Sequence, residues 1–416
     1  MRVRLFVSGI LASFVFVFAV NAHLKAQLVR PKPSQQLRQG PVQNGVPPEA
    51  PVTALPVEKF KLLSPGTGWV STGNRILMTT DNGTTWKDIS PPPRHNPVDA
   101  ALLHDGFEDV FFADAETGWV LYFNEGEDAE DTTFAVSCTA DGGASWSEGK
   151  LPRWEGGRPP TGSGFVVFAD KLHGWLNIDD SANTANTSSE IYFTTDGGKS
   201  WLPTKGSVDG AAQGMVAVTD KELWALGTEE SGNELDVSRD GGNSFERVAI
   251  PAPKEIGPRH EPTFKLPVFL DPRNGYETVE YGGPSGSTNW TVLFETHDGG
   301  RTWKSDRLLS NFGYGEAAGA ALVDDLWIIP STPKNNSSPN LMKIPRSEER
   351  EIEPHNKRDY MACTASFITE NEGWVNCSGV LNATTNGGAT WADIRPYSRN
   401  GVHTSEPASP STRRSK

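Results

Sequence analysis

The chain has 416 residues, with 52 Asp and Glu against 38 Lys and Arg, a formal charge of −14 and 36% hydrophobic residues. An acidic surface repels nucleic-acid phosphates and anionic headgroups, so nucleic acid is set aside as a partner. Three cysteines are too few for a disulfide framework.

Residues 1–22 carry Arg2 and Arg4, an apolar run over 5–20 and the small-residue exit Val20-Asn21-Ala22. That is the pattern of a secretory signal peptide. The run is too short for a permanent membrane helix and no second one follows, so an exported product is expected, periplasmic or extracellular, with no membrane span after signal removal. Loss of Arg2 and Arg4 takes the charge from −14 to −16. Residues 23–57, with PKPSQQ and PVQNGVPPEAP, show no hydrophobic period and read as a Pro/Gln-rich linker.

From residue 58 one pattern recurs seven times. Its first phrase is an aromatic after a small or apolar residue: Gly68-Trp69, Gly118-Trp119, Gly174-Trp175, Leu223-Trp224, Gly275-Tyr276, Leu326-Trp327 and Gly373-Trp374. A second phrase follows as TTDNGTTW (79–86), TADGGASW (139–146), TTDGGKSW (194–201), SRDGGNSF (238–245), THDGGRTW (296–303) and TTNGGATW (384–391). The sixth unit lacks it. A period near fifty residues with short strand-like runs, and almost no helical period, predicts an all-β fold, a seven-bladed β-propeller of four-stranded blades over 58–395. Unit six, 319–347, is expected to be the least regular. Residues 396–416 have no apolar pattern and read as a disordered tail.

The second phrase resembles the Asp box, or bacterial neuraminidase repeat, a tight hairpin between a blade's third and fourth strands. Its Asp accepts N–H bonds of its own turn, Gly supplies positive φ, and the aromatic folds back between blades. Structural roles are therefore expected for Asp81, Asp141, Asp196, Asp240, Asp298 and Asn386, and for Trp86, Trp146, Trp201, Phe245, Trp303 and Trp391. Asp boxes occur in sialidases, sorting-receptor ectodomains and the photosystem II assembly and stability factors. The pairing of a GW strand with TTDGGxTW is most similar to the last family and its bacterial relatives, over roughly residues 58–395.

Strand alternation puts the turn between strands one and two on the Asp-box face. The long connections, 124–133, 179–189, 251–262, 305–319 and 330–340, then share the opposite face, where binding is expected. Arg153, Trp154 and Arg158 in LPRWEGGRPP form one candidate contact cluster, against the alternative of a loop anchor. Arg259 with Glu261, Tyr314 with Glu316, and Arg358 with Asp359 and Tyr360 stand at inner-strand ends of the loop-rich face and offer the residue types a sialidase uses, without being expected to converge into its site. The resemblance to sialidases implies that alternative, but the first repeat, KFKLLSPGTGW, lacks the Arg-Ile-Pro type signature.

No catalytic residue, metal site or cofactor is expected. Histidines are scattered, no HExxH or GxSxG occurs, and EGEDAED at 125–131 lacks the spacing of a calcium loop. Cys363 and Cys377 sit symmetrically about a turn near Glu370, so a single cross-strand bridge and two separate buried thiols both stand. The sequence reading is a non-catalytic, monomeric interaction or assembly scaffold for a protein or envelope partner, with a sialidase-like glycoside hydrolase as the alternative.

Overall fold

The computed structural model describes residues 53–73, 75–92, 107–124, 133–152, 163–180, 188–229, 232–283, 289–310, 319–333, 338–346, 360–399 and 402–404. Ala50–Lys416 forms one compact unit. The signal-peptide segment and most of the linker lie outside the described residues, as do Cys138's acidic neighbour loop at 125–131 and the tail beyond 404. Among the described residues no helix is long and apolar enough to cross a membrane.

Seven antiparallel sheets follow one another along the chain, most of them meanders of four strands. Blade 1 is Lys59–Ser64, Thr67–Thr72, Arg75–Thr79 and Lys87–Asp88; blades 2, 3 and 4 begin at Phe107–Phe112, Gly164–Phe168 and Ala211–Ala217. Blade 5 has an inner strand broken into Glu261–Thr263 and Val268–Phe269, both paired with Gly275–Gly282. Blade 7 runs from Thr364–Phe367 to Ala392–Asp393. The fold is an all-β, seven-bladed propeller. Residues flanking it also pair: Thr53–Ala54 joins Tyr397–Arg399, which joins Val402–Thr404, so a three-stranded sheet crosses both the linker and the tail boundaries read from sequence.

Two aromatic positions fill the seams between blades. Outside blade 6, the first-phrase aromatic turns toward the next blade and the Asp-box aromatic toward the preceding one. Trp374 of blade 7 thus meets Trp86 of blade 1 edge-on at 5.9 Å, and Trp224 meets Trp303 at 6.0 Å. In other seams a phenylalanine stands between the pair, as Phe168 does between Trp119, stacked at 3.5 Å, and Trp201 at 5.8 Å. The indole N–H groups are used as well: Trp119 and Trp175 donate to the carbonyls of Gly197 and Gly241 in the next blade's box. In blade 4 this bond is made instead by Arg239, which lies over the Trp224 ring and donates to the Gly299 carbonyl at 3.1 Å.

Blade 6 departs from the pattern. It has Ala321–Val323, Leu326–Pro333 and Asn340–Pro345, while Tyr360–Ala362 pairs with the far end of its second strand, and no outer strand after the third occurs among the described residues. Its first two strands are joined by Asp324 and Asp325 alone, both at positive φ (51° and 63°), whereas blades 2, 3, 4, 5 and 7 use five residues there. The turn is three residues shorter, and an odd change of register reverses which side chains face which neighbour; in blade 1, whose turn is also two residues, a bulge between Leu62 and Ser64 offsets it. Trp327 accordingly turns back to blade 5, 5.2 Å from Tyr276, and donates its N–H to Asp306 at 2.7 Å. The sequence reading counted Leu326-Trp327 as an equivalent first phrase; in space its indole takes the part of the missing box aromatic of blade 6.

The missing box is replaced too. Arg346 follows the third strand, donates its backbone N–H to the Asp325 carbonyl, and sends its guanidinium to Asp325 at 2.6 Å and to both carboxylate oxygens of Glu295 in blade 5. Because Trp327 has turned away, the seam between blades 6 and 7 is filled otherwise. Leu341 covers Gly388 of blade 7's box, beside a cluster of Val375, Phe367 and Trp391 and the disulfide Cys363–Cys377. Thr364 pairs with Asn376, which sets the two cysteines opposite each other with Cα atoms 4.6 Å apart.

Candidate functional site

The two faces of the ring differ in what their polar groups have left to offer. On the Asp-box face each box donates a backbone N–H to the turn between strands one and two of its own blade: Asn82 to Gly66, Gly142 to Glu116, Gly197 to Leu172, Gly241 to Lys221, Gly299 to Arg273 and Gly387 to Asn371, all at 2.8–3.0 Å. Inside a box the carboxylate is saturated. Asp81 Oδ1 accepts from the Thr79 hydroxyl and the Thr85 N–H, both at 2.8 Å, and Oδ2 from the Thr85 hydroxyl at 2.7 Å, while Gly83 donates to the Thr79 hydroxyl.

The same bonds recur at Asp141, Asp196, Asp240 and Asp298. The hydroxyl and N–H of Ser145, with the Thr139 hydroxyl, hold Asp141 down to about 2. Burial opposes the shift at Asp298, yet the hydroxyl and N–H of Thr302 and the Thr296 hydroxyl still hold it at about 2. At Asn386 the amide reverses one bond, donating Nδ2–H to the Thr390 hydroxyl. These side chains bind their own turns.

Chemistry with spare capacity lies on the inner strands. The residues paired with the GW aromatics form one tier around the ring: Lys61, Phe111, Val167, Val216, Val268, Leu322 and Ser366. Lys61 is its one ionisable member. Its ammonium lies over the Phe111 ring at 5.5 Å, and the side chain is open to solvent with protein still around it. That surrounding protein lowers its pKa, and no salt bridge to it occurs among the described residues.

Two residues nearer the loop-rich end, Lys59 bridges to Asp109 at 2.8 Å and donates to the Glu108 carbonyl at 3.0 Å. Asp109 also accepts the Val166 N–H at 2.9 Å, so blades 1, 2 and 3 are tied at this point. Glu108 beside them is shifted up, by burial first, with Lys59 opposing and Asp109 adding to it.

Of the residues singled out in sequence, Arg259 and Glu261 are exposed at the entry to blade 5's inner strand, after a loop anchored by the buried Ile256. Arg153, Trp154, Arg158, Tyr314, Glu316, Arg358 and Asp359 lie outside the described residues. For Tyr360 the strand is described and the side chain is not; it pairs with Pro333 of blade 6. The structure therefore brings together Lys59, Lys61, Glu108 and Asp109, which the sequence reading passed over. Their signal was charge inside strand-like apolar runs, in KFKLL and FEDVFF. Among the described residues no group of three or more His, Cys, Asp or Glu is placed to hold a metal ion.

No family model matches the chain and no curated protein matches it. Among solved structures it is similar to YCF48 bound to a D1 peptide, at 14% identity over 81% of this chain and 94% of that one, with a TM-score of 0.39. It is also similar to an ancestral GH74 enzyme (13%, 86% and 49%, TM-score 0.46) and to a Trypanosoma rangeli sialidase mutant (15%, 67% and 54%, TM-score 0.38). The sheets show a seven-bladed β-propeller, and YCF48, the sialidase and the GH74 enzyme are structures it is similar to at low identity.

Proposed function

We propose that this chain is an exported, non-catalytic scaffold that holds a protein or envelope partner on the face opposite its Asp boxes. The observation that carries the reading is Lys61, a solvent-open ammonium over the Phe111 ring in a tier of otherwise uncharged side chains. Protein around an ammonium makes its charge costlier to keep, and a partner's anionic group placed beside it would offset that cost. The saturated box carboxylates support the same polarity, since a face whose polar groups are spent on their own turns offers a partner little. Lys59, Glu108 and Asp109 would form the rim of the site.

Capture from an envelope extract tests this. Lys61→Glu is expected to reduce recovery of the partner at least about tenfold, the scale of one lost charged contact. Leu172→Ser, in an exposed turn of the box face, should leave recovery unchanged. Loss with Leu172→Ser and retention with Lys61→Glu would place the partner on the other face. Turnover of a fluorogenic sialoside by the purified chain would overturn the non-catalytic reading.

A further inference from the structure

The position directly after the first-phrase aromatic is the most uniformly buried in the blades. Val70, Val120, Leu176, Ala225, Ile328 and Val375 occupy it, each 0% exposed; in blade 5 it is Glu277, at 1%. A carboxylate there gives up its hydration, and only a partner could compensate it. Neither Oε1 nor Oε2 makes a hydrogen bond of ordinary geometry within the structure. The backbone N–H of Lys265 is the donor turned toward them.

The side chains around it are mostly apolar. Strand alternation puts Glu277 with Val279 and Tyr281 on the side of blade 5 that packs against blade 4. The third strand contributes Val292 and Phe294. The interruption of the inner strand contributes Phe264 and Leu266, the latter seated against Gly214 of blade 4.

Tyr281, 2% exposed, also has a hydroxyl without a partner, and burial together with the charge of Glu277 pushes its phenol up to about 12. Among the described residues of blade 5, Tyr281 and Lys265 are the titratable ones on this side. Glu280 and Glu295 alternate to the side of blade 6, where Glu295 pairs with Arg346. In blade 4, Glu234 and Asp236 alternate away from the seam and pair with Arg247.

We propose that Glu277 is a proton-operated latch on the seam between blades 4 and 5. Protonated, its neutral carboxyl packs in the seam and supports the inner strand where it is interrupted at 264–267; ionised, it must reach water, and the seam and that strand loosen. Burial holds its pKa well above the ordinary value of 4.5. Above pH 4.5 the unfolded chain has released this proton while the folded chain retains it. Stability therefore falls as pH rises through that window and levels off once the folded carboxyl has also ionised.

Infrared difference spectra of the full chain test the protonation directly. A protonated-carboxyl band should persist at neutral pH in the wild type and be missing in Glu277→Gln. Thermal unfolding from about pH 5 to about pH 9 tests the consequence. The melting temperature of Glu277→Gln should rise above wild type by roughly 2 °C or more per pH unit until the difference levels off. Glu277→Leu should follow the Gln variant, since apolar residues fill the same place in the other blades. Absence of the band at neutral pH in wild type, or melting curves that stay parallel across the range, would overturn the proposal.

Discussion

At the scale of single residues, the box carboxylates and Glu277 respond to pH with opposite signs. Asp298 is depressed to about 2, so its contribution is fully present above the ordinary value of 3.8 and is lost as pH falls through about 2. The bonds responsible run from the N–H and hydroxyl of Thr302 and the hydroxyl of Thr296. Asp298→Ala leaves these donors unpaired and is expected to cost about 1–2 kcal/mol at neutral pH, read by denaturant unfolding. Asp298→Asn should cost less and should flatten the acid limb, because Asn386 already closes its box with an amide that does not titrate. A larger loss from Asn than from Ala would contradict this account. The box was legible in sequence because its bonds join residues two to four apart. Lys61 was not, because its isolation depends on the other inner strands, which the chain supplies from six separate segments.

At the scale of the element, blade 6 shows where repeat counting stops being a guide to geometry. The phrase Leu326-Trp327 has the spacing of the other first phrases, and that much was correctly read as a blade. Which way its indole points goes with the unbroken register across the Asp324-Asp325 turn; blade 1 also has a two-residue turn, but there a bulge between Leu62 and Ser64 accompanies a Trp69 that faces blade 2. The consequence is non-local: Trp327 repairs the seam to blade 5, and the seam to blade 7 is left to Leu341, Trp391 and a disulfide. Neither cysteine lies in a repeated phrase, so the sequence left bridge and free thiols as equal alternatives. Trp327 is fully buried, and Trp327→Ala should cost about 3–5 kcal/mol. Hydrogen exchange should rise first in 275–282 and 290–296, the blade 5 strands it covers, and an increase confined to blade 7 would show that the indole points the other way.

At the scale of the whole molecule, closure of the ring is the problem the fold has to solve without exchanging strands. Each blade is built from one continuous stretch, so neither end of the chain completes the other's sheet. Bringing together the ends of a segment of roughly 340 residues costs on the order of 5 kcal/mol by chain statistics. The seam between blades 7 and 1 carries several bonds against that cost: Leu62 N–H to the Ser366 hydroxyl, Gly66 N–H to Glu372, Trp86 N–H to the Ile394 carbonyl and Trp374 N–H to Asn82 at 2.6 Å. The flanks add a clasp, with Thr53 opposite Ser398 and the Leu55 N–H on the Pro396 carbonyl at 2.9 Å. Removing residues 396–416 takes away one half of this clasp, and it should lower the melting temperature and raise exchange first in blades 1 and 7. The converse is a stronger test. Directly opposed residues of an antiparallel pair are within reach of a disulfide, so Thr53→Cys with Ser398→Cys should lock the clasp and raise the melting temperature under oxidising conditions. Reductant should abolish that gain, with the wild type in reductant as the control for Cys363–Cys377. If the double variant forms its bridge and melts no higher than wild type, the flanking sheet contributes nothing to closure, and the ring is held by the side chains of the seam.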